Sequence, residues 1–170
     1  MAARQIKIVN ELDPKWAANG VLVAAGGVST ILAGTPTKSA DAAGAATGAV
    51  IPMVDGDGTI AQKFSGIAKS DSTDTASAAG VVTLWLPLPG IVYSGVCKTT
   101  SANTAALLLA LFNKHVVFDT QDSGVTWTID AAATDALVSC VTIIGGEYQT
   151  NTVYFTYKDA GTILGQHQTS

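Results

Sequence analysis

The stretch VVTLWLPLPGIVYSGVC, residues 81–97, decides the fold class. Val81 to Leu86 and Ile91 to Cys97 are short apolar runs rich in β-branched and aromatic residues. Pro87-Leu88-Pro89-Gly90 between them can continue neither a helix nor a strand ladder. Two buried strands joined by a proline-stiffened turn satisfy this pattern.

Toward the N-terminus the pattern remains that of short strands between turns. Val21-Leu22-Val23, a Gly26-Gly27 turn and Val28 to Leu32 have the form of a hairpin. TPTKSADAAGAATG, residues 35–48, consists almost wholly of small residues without periodicity and reads as an irregular surface loop. Ala49 to Val54 reads as an edge strand because it contains Pro52, and Ile60 to Ala68 reads as a strand after the DGDG turn at 55–58. SDSTDTASAAG, residues 70–80, reads as a second small, polar loop. The first nineteen residues, with an alternating run from Gln5 to Val9, a turn at Asp13-Pro14 and a lone Trp16, form an N-terminal arm set apart from a single β-rich domain over 20–170.

Toward the C-terminus, Thr104 to Lys114 is the one convincing helix, favoured by its Ala and Leu content, with Asn103 expected at the N-cap. His115 to Thr120, Val125 to Asp130, Ala136 to Ile144 and Thr152 to Lys158 follow as strands separated by Gly, Asp or Asn. With no repeat at a fixed period, the expected architecture is mainly β: a small barrel or sandwich with one short helix and an N-terminal arm.

Composition narrows the function classes. Only 13% of the 170 residues are charged, against roughly 25% in ordinary soluble domains, and the mean hydropathy is +0.34. So sparse a charge suggests that part of the surface is covered by other subunits. A net charge of −4 with no basic block argues against nucleic acid as a partner. The longest apolar stretch, Ala105 to Phe112, falls far short of the about 20 residues of a membrane span, so no membrane partner is expected. The N-terminal MAARQIKIVNELDP lacks the apolar core of a secretory signal.

Catalytic groups are scarce. Neither His115 nor His167 belongs to a local triad, and no G-x-S-x-G elbow occurs. His115 reads as a helix C-terminal cation or half-buried strand residue. Asp55-x-Asp57-Gly58 matches part of a calcium loop but lacks its closing Glu, so no metal or other cofactor is expected. Cys97 and Cys140 lie in apolar surroundings without metal spacing and read as buried free thiols in preference to a single disulfide. The reading is therefore of a protein that is not an enzyme.

Thr120-Gln121-Asp122-Ser123-Gly124-Val125-Thr126-Trp127 resembles the Asp-box, S-x-D-x-G-x-T-W. In that motif Asp122 would accept hydrogen bonds from turn amides, Gly124 would supply a positive φ, and Trp127 would pack back on a hairpin. Sialidase-like propellers carry one such box per blade, and the single copy argues for one hairpin and no activity.

Between Gly34 and Gly95 three phrases resemble the head decoration, or cement, proteins of tailed bacteriophages: ATGAVIPMV at 46–54, the run Phe64, Gly66, Ile67, Ala68, and the Pro/Gly-broken segment from Gly80 to Val92. The resemblance implies a small β-barrel or β-tulip body, many copies on the outer surface of a phage head, the major capsid protein as partner, and no catalysis. A homotrimer is the expected assembly. Attachment is expected through the arm, at Arg4, Ile6, Ile8 and Trp16, and through the loop at Thr35, Pro36 and Thr37. The rival readings are a β-rich phage fibre or receptor-binding, adhesin-like domain and a glycan hydrolase fragment. The last would need two carboxylates about 5–9 Å apart in a cleft.

Overall fold

Val81–Trp85 and Tyr93–Val96 are both strands, yet they belong to different sheets. The proline-rich link carries the chain from one sheet to the other instead of folding a hairpin. The Tyr93 hydroxyl donates to the Leu86 carbonyl (3.0 Å) across this link. The structure is a computed structural model and describes residues 6–8, 17–22, 30–40, 49–54, 64–73, 79–88, 90–121, 126–132 and 141–157.

The strands in chain order are β1 (Lys7–Ile8), β2 (Ala17–Leu22), β3 (Thr30–Ile31), β4 (Pro36–Ser39), β5 (Val50–Pro52), β6 (Phe64–Ala68), β7 (Ser72–Thr73), β8 (Val81–Trp85), β9 (Tyr93–Val96), β10 (His115–Gln121), β11 (Thr126–Asp130), β12 (Val141–Glu147) and β13 (Thr152–Tyr157). One helix, α1 (Ala105–Leu111), lies between β9 and β10. The protein is mainly β, as its strand patterning predicts.

The six-stranded sheet runs β1-β9-β13-β12-β10-β11, every pair antiparallel. A parallel bridge from Cys97 to Ile129, with the Lys98 amide donating to the Ile129 carbonyl (2.8 Å), brings the end of β9 to β11. Five strands thereby curl into a nearly closed barrel, the arrangement that removes exposed sheet edges. The second sheet, β2-β8-β6-β4-β5, is an antiparallel half-barrel, and among the described residues β3 pairs only with β7.

Inward side chains fill the barrel with rings. Phe118 meets Phe64, Trp127, Phe155 and Tyr157 at centroid distances of 6.0–6.4 Å. Phe64 comes from the half-barrel and stacks on Tyr157 at 3.8 Å, so the two sheets share one core, to which Ile67 and Met53 also contribute. A smaller cluster of Ile31, Val50, Ala68, Val82 and Leu84 forms a second core in the half-barrel. Gly66 has φ +144°, and a Cβ there would run into the Trp85 carbonyl, so only glycine lets β6 and β8 approach at that point.

Several expectations are corrected. Among the described residues, β2 and β3 do not pair with each other as the expected hairpin would require: β2 pairs with β8, and β3 pairs with β7 inside the expected polar loop at 70–80. The expected surface loop at 35–48 begins as β4, held between β5 and β6, because main-chain pairing outweighs the low strand propensity of small residues. β12 (Val141–Glu147) extends past the expected end at Ile144, with a bulge between Ile143 and Gly145, and the expected residues 136–140 lie outside the described residues. The helix is shorter than expected and its N-cap is Thr104, whose hydroxyl accepts from the Leu107 amide (3.2 Å), not Asn103. It stops where Phe112 turns extended, and Asn113, in the left-handed region, donates to the Ile143 carbonyl (2.9 Å). The expected arm is not wholly separate from the body, since Ile6 is buried in the barrel core and Lys7–Ile8 pair with β9.

Candidate functional site

Of the expected contact residues, Arg4 and Trp16 lie outside the described residues. Ile6 is a core residue, and Ile8 is in register with Tyr93. Thr35, Pro36 and Thr37 are all buried within the chain itself. The Thr35 carbonyl accepts from the Ala68 amide (2.9 Å), the Pro36 carbonyl from the Met53 amide (2.9 Å), and the Thr37 hydroxyl donates to the Gly66 carbonyl (2.9 Å). Residues so placed hold β4 in its sheet, which removes them from an exposed contact surface. In the hairpin, β10 pairs with β11 up to Gln121 opposite Thr126. Trp127 is only 4% exposed and packs edge-on to Phe118, while Asp122 and Gly124 lie outside the described residues.

The surface feature that the strand-by-strand reading missed is helix α1. Its sequence AALLLAL has no polar face, and a helix apolar on all sides is ordinarily buried. Here only Leu111 is buried. Leu108 is half-buried, packed against the main core and lying over Gly146, where a Cβ would collide with the Thr152 carbonyl and with Leu108 itself. Leu109, three residues before Phe112, projects away from that seat and is 76% exposed, and Phe112 is 52% exposed. Leu107 is also exposed, as is Ile144, the residue that the β12 bulge leaves unpaired.

The hydrogen bonds between Asn113 and Ile143, and between the Ile143 amide and the Lys114 carbonyl (3.0 Å), bring Phe112 and Ile144 to neighbouring backbone positions. The whole segment from Thr99 to Asn113 carries no charged residue. A desolvated partner would therefore meet aliphatic and aromatic surface with no ion to strip of water, which is the composition of an interface core. The signal was present in the sequence as a seven-residue helix without a single polar residue.

Among the polar groups, His115 is half-buried on β10, with Nδ1 2.9 Å from the Thr142 hydroxyl, so it serves as a strand residue in a local pair. Cys97 is a buried free thiol whose pKa is pushed up to about 12, first by burial and then by the nearby Asp130 carboxylate. Cys140, Asp55 and Asp57 lie outside the described residues. Among the described residues no group of His, Cys, Asp and Glu is arranged to hold a metal ion, and no helix is long and apolar enough to cross a membrane. No protein-family model, curated protein or solved structure matches the chain.

Proposed function

We propose that this chain is a structural virion protein that binds the outer surface of a bacteriophage capsid and stabilises the shell, in the manner of a decoration or cement protein. The observation that carries the reading is the uncharged helix α1, seated on a ring-filled barrel and presenting Leu109 and Phe112 to solvent. A rigid scaffold with an apolar contact face suits a part that docks in many identical copies, because pre-organisation lowers the entropy cost of each contact and multivalency amplifies modest affinity. The partners on this reading are the major capsid protein and further copies of the chain, with a homotrimer as the unit of attachment. Placement on the phage head rests on the sequence resemblance.

On this reading the α1 face is an attachment surface in place of the 35–37 segment, whose residues are buried. Leu109→Gln tests this: it should leave the melting temperature unchanged, within about 0.5 kcal/mol of stability, as exposed substitutions do. The variant should also lose most of its occupancy on undecorated heads, measured by pelleting and electron microscopy. Wild-type occupancy by the variant would exclude the helix as the contact. Wild-type protein found on tail fibres and absent from heads would favour the receptor-binding alternative.

A further inference from the structure

The closing seam of the barrel holds a second arrangement, unrelated to the apolar helix. Asp119 lies on β10 and Asp130 at the end of β11, on the outer face of the barrel, since their neighbours Phe118 and Ile129 point into the core. An acid on an outer face is normally solvated, yet Asp119 is 2% exposed. The Lys98 ammonium is in direct contact with Asp119 Oδ2 and lies 3.6 Å from Asp130 Oδ2.

The backbone carrying the amine is fixed from several sides. The Lys98 amide donates to the Ile129 carbonyl (2.8 Å), Ser101 Oγ donates to the Lys98 carbonyl (3.0 Å), and Asn151 Nδ2 donates to the carbonyl of Cys97 (2.9 Å). Asp130 is oriented as well, because its Oδ1 accepts from the Ala132 amide (2.9 Å). One amine is thus held against a buried carboxyl, with a second carboxylate beside it.

We infer that Lys98 and Asp119 are joined by an intramolecular isopeptide bond, formed with Asp130 as the proton carrier. Burial disfavours the charged form of Asp119, while Lys98 is partly exposed, so one proton passes from the Lys98 ammonium to the Asp119 carboxylate. The neutral Nζ then attacks Cγ of Asp119. Asp130 takes a proton from the attacking nitrogen and returns it to the departing hydroxyl of Asp119. The Cγ–O bond breaks, the Cγ–Nζ amide bond forms, and one water leaves through the partly exposed side of Lys98. Asp130 ends as it began, and no oxidant, metal or activated carrier is required.

Amide formation from free acid and amine is unfavourable in dilute water. Groups held at contact react with effective molarities of about 10⁵–10⁸ M, which is the advantage this seam supplies. The product would close a covalent ring from residue 98 to residue 119, with α1 inside it, and would lock the β9 end of the barrel to the β10–β11 hairpin. Such a ring restricts the unfolded chain as a disulfide does, and it needs no oxidising compartment. The inference does not depend on the capsid reading.

Intact mass spectrometry of the denatured full-length protein, followed by peptide mapping, tests it. The wild type should weigh one water less than its sequence, with the loss located in a branched peptide that joins Lys98 to Asp119. Lys98→Arg should have its full sequence mass and melt several degrees lower. Asp130→Asn, folded by circular dichroism, should form the bond roughly 100-fold more slowly or worse, as loss of a general acid–base does. Wild-type protein that keeps its full mass after days at neutral pH overturns the proposal. So does a water loss that maps elsewhere, such as a succinimide at the Asp-Gly pairs of 55–58. An Asp130→Asn variant that cross-links at the wild-type rate removes Asp130 from the chemistry.

Discussion

The barrel and the half-barrel are both antiparallel sheets, but they are held together differently. In the barrel, β10 pairs with β11 and β12 with β13, while β1 and β13 both pair with the distant β9, around a core containing six large rings: Phe64, Tyr93, Phe118, Trp127, Phe155 and Tyr157. In the half-barrel, β4 likewise pairs with its neighbour β5 and β2 with the distant β8, but the private core consists of the smaller Ile31, Val50, Ala68, Val82 and Leu84. Ring-filled interiors remove more apolar area from water than small aliphatic cores do. The barrel is therefore the scaffold. The half-barrel is stabilised largely by lending Phe64, Ile67 and Met53 to the barrel core.

The largest test of that asymmetry is Phe118→Ala. Phe118 touches four rings, and its loss should cost about 3–5 kcal/mol. Its unfolding transition should remain single, because both sheets share the damaged core. Two separate transitions in calorimetry would show that the sheets are held independently.

Gly66→Ala should cost less, about 1–3 kcal/mol, since it forces an L-residue to a positive φ and a Cβ against the Trp85 carbonyl. Hydrogen exchange should show the loss of protection concentrated in β4, β6 and β8. Equal loss in β10–β13 would contradict the division.

Near neutral pH the smallest effect is expected at the seam. The Cys97 thiol is raised in the folded state from 9.0 to about 12, so the stability linked to it is complete below about pH 9 and is lost as pH rises toward about 12. The unfolded thiol gives up its proton first in that window, which favours unfolding. A Cys140→Ser protein should resist thiol reagents at pH 8 until it unfolds, and rapid labelling of the folded protein would show that the β9–β11 seam opens.

Legibility in the sequence follows the range of the interactions. β6, β8, β10, β11 and β13 were readable within a few residues because alternation and Gly, Asp or Pro breakers act locally. The segment that forms β4 reads as loop because Pro36–Ser39 lacks apolar alternation, and it is a strand only because β5 and β6 lie on either side of it. The same failure assigned Thr35, Pro36 and Thr37 to a contact surface. In the reverse direction, Leu109 and Phe112 read as ordinary helix interior, and only the seating of α1 over β12 through Leu108 and Leu111 leaves them outside.

The sequence alone determined that this protein is mainly β, poor in charge, with a single short Ala/Leu helix and Trp127 on a strand, since propensity, period and turn chemistry are properties of neighbouring residues. Tertiary structure decided that the strands at 81–85 and 93–96 part into two sheets, that Ile6 enters the core, and that β9 closes on β11. It also decided that Lys98 meets Asp119 and Asp130. Each of those outcomes joins residues distant in the chain, and such pairings are selected by how the whole chain fills a common core, which no local pattern encodes.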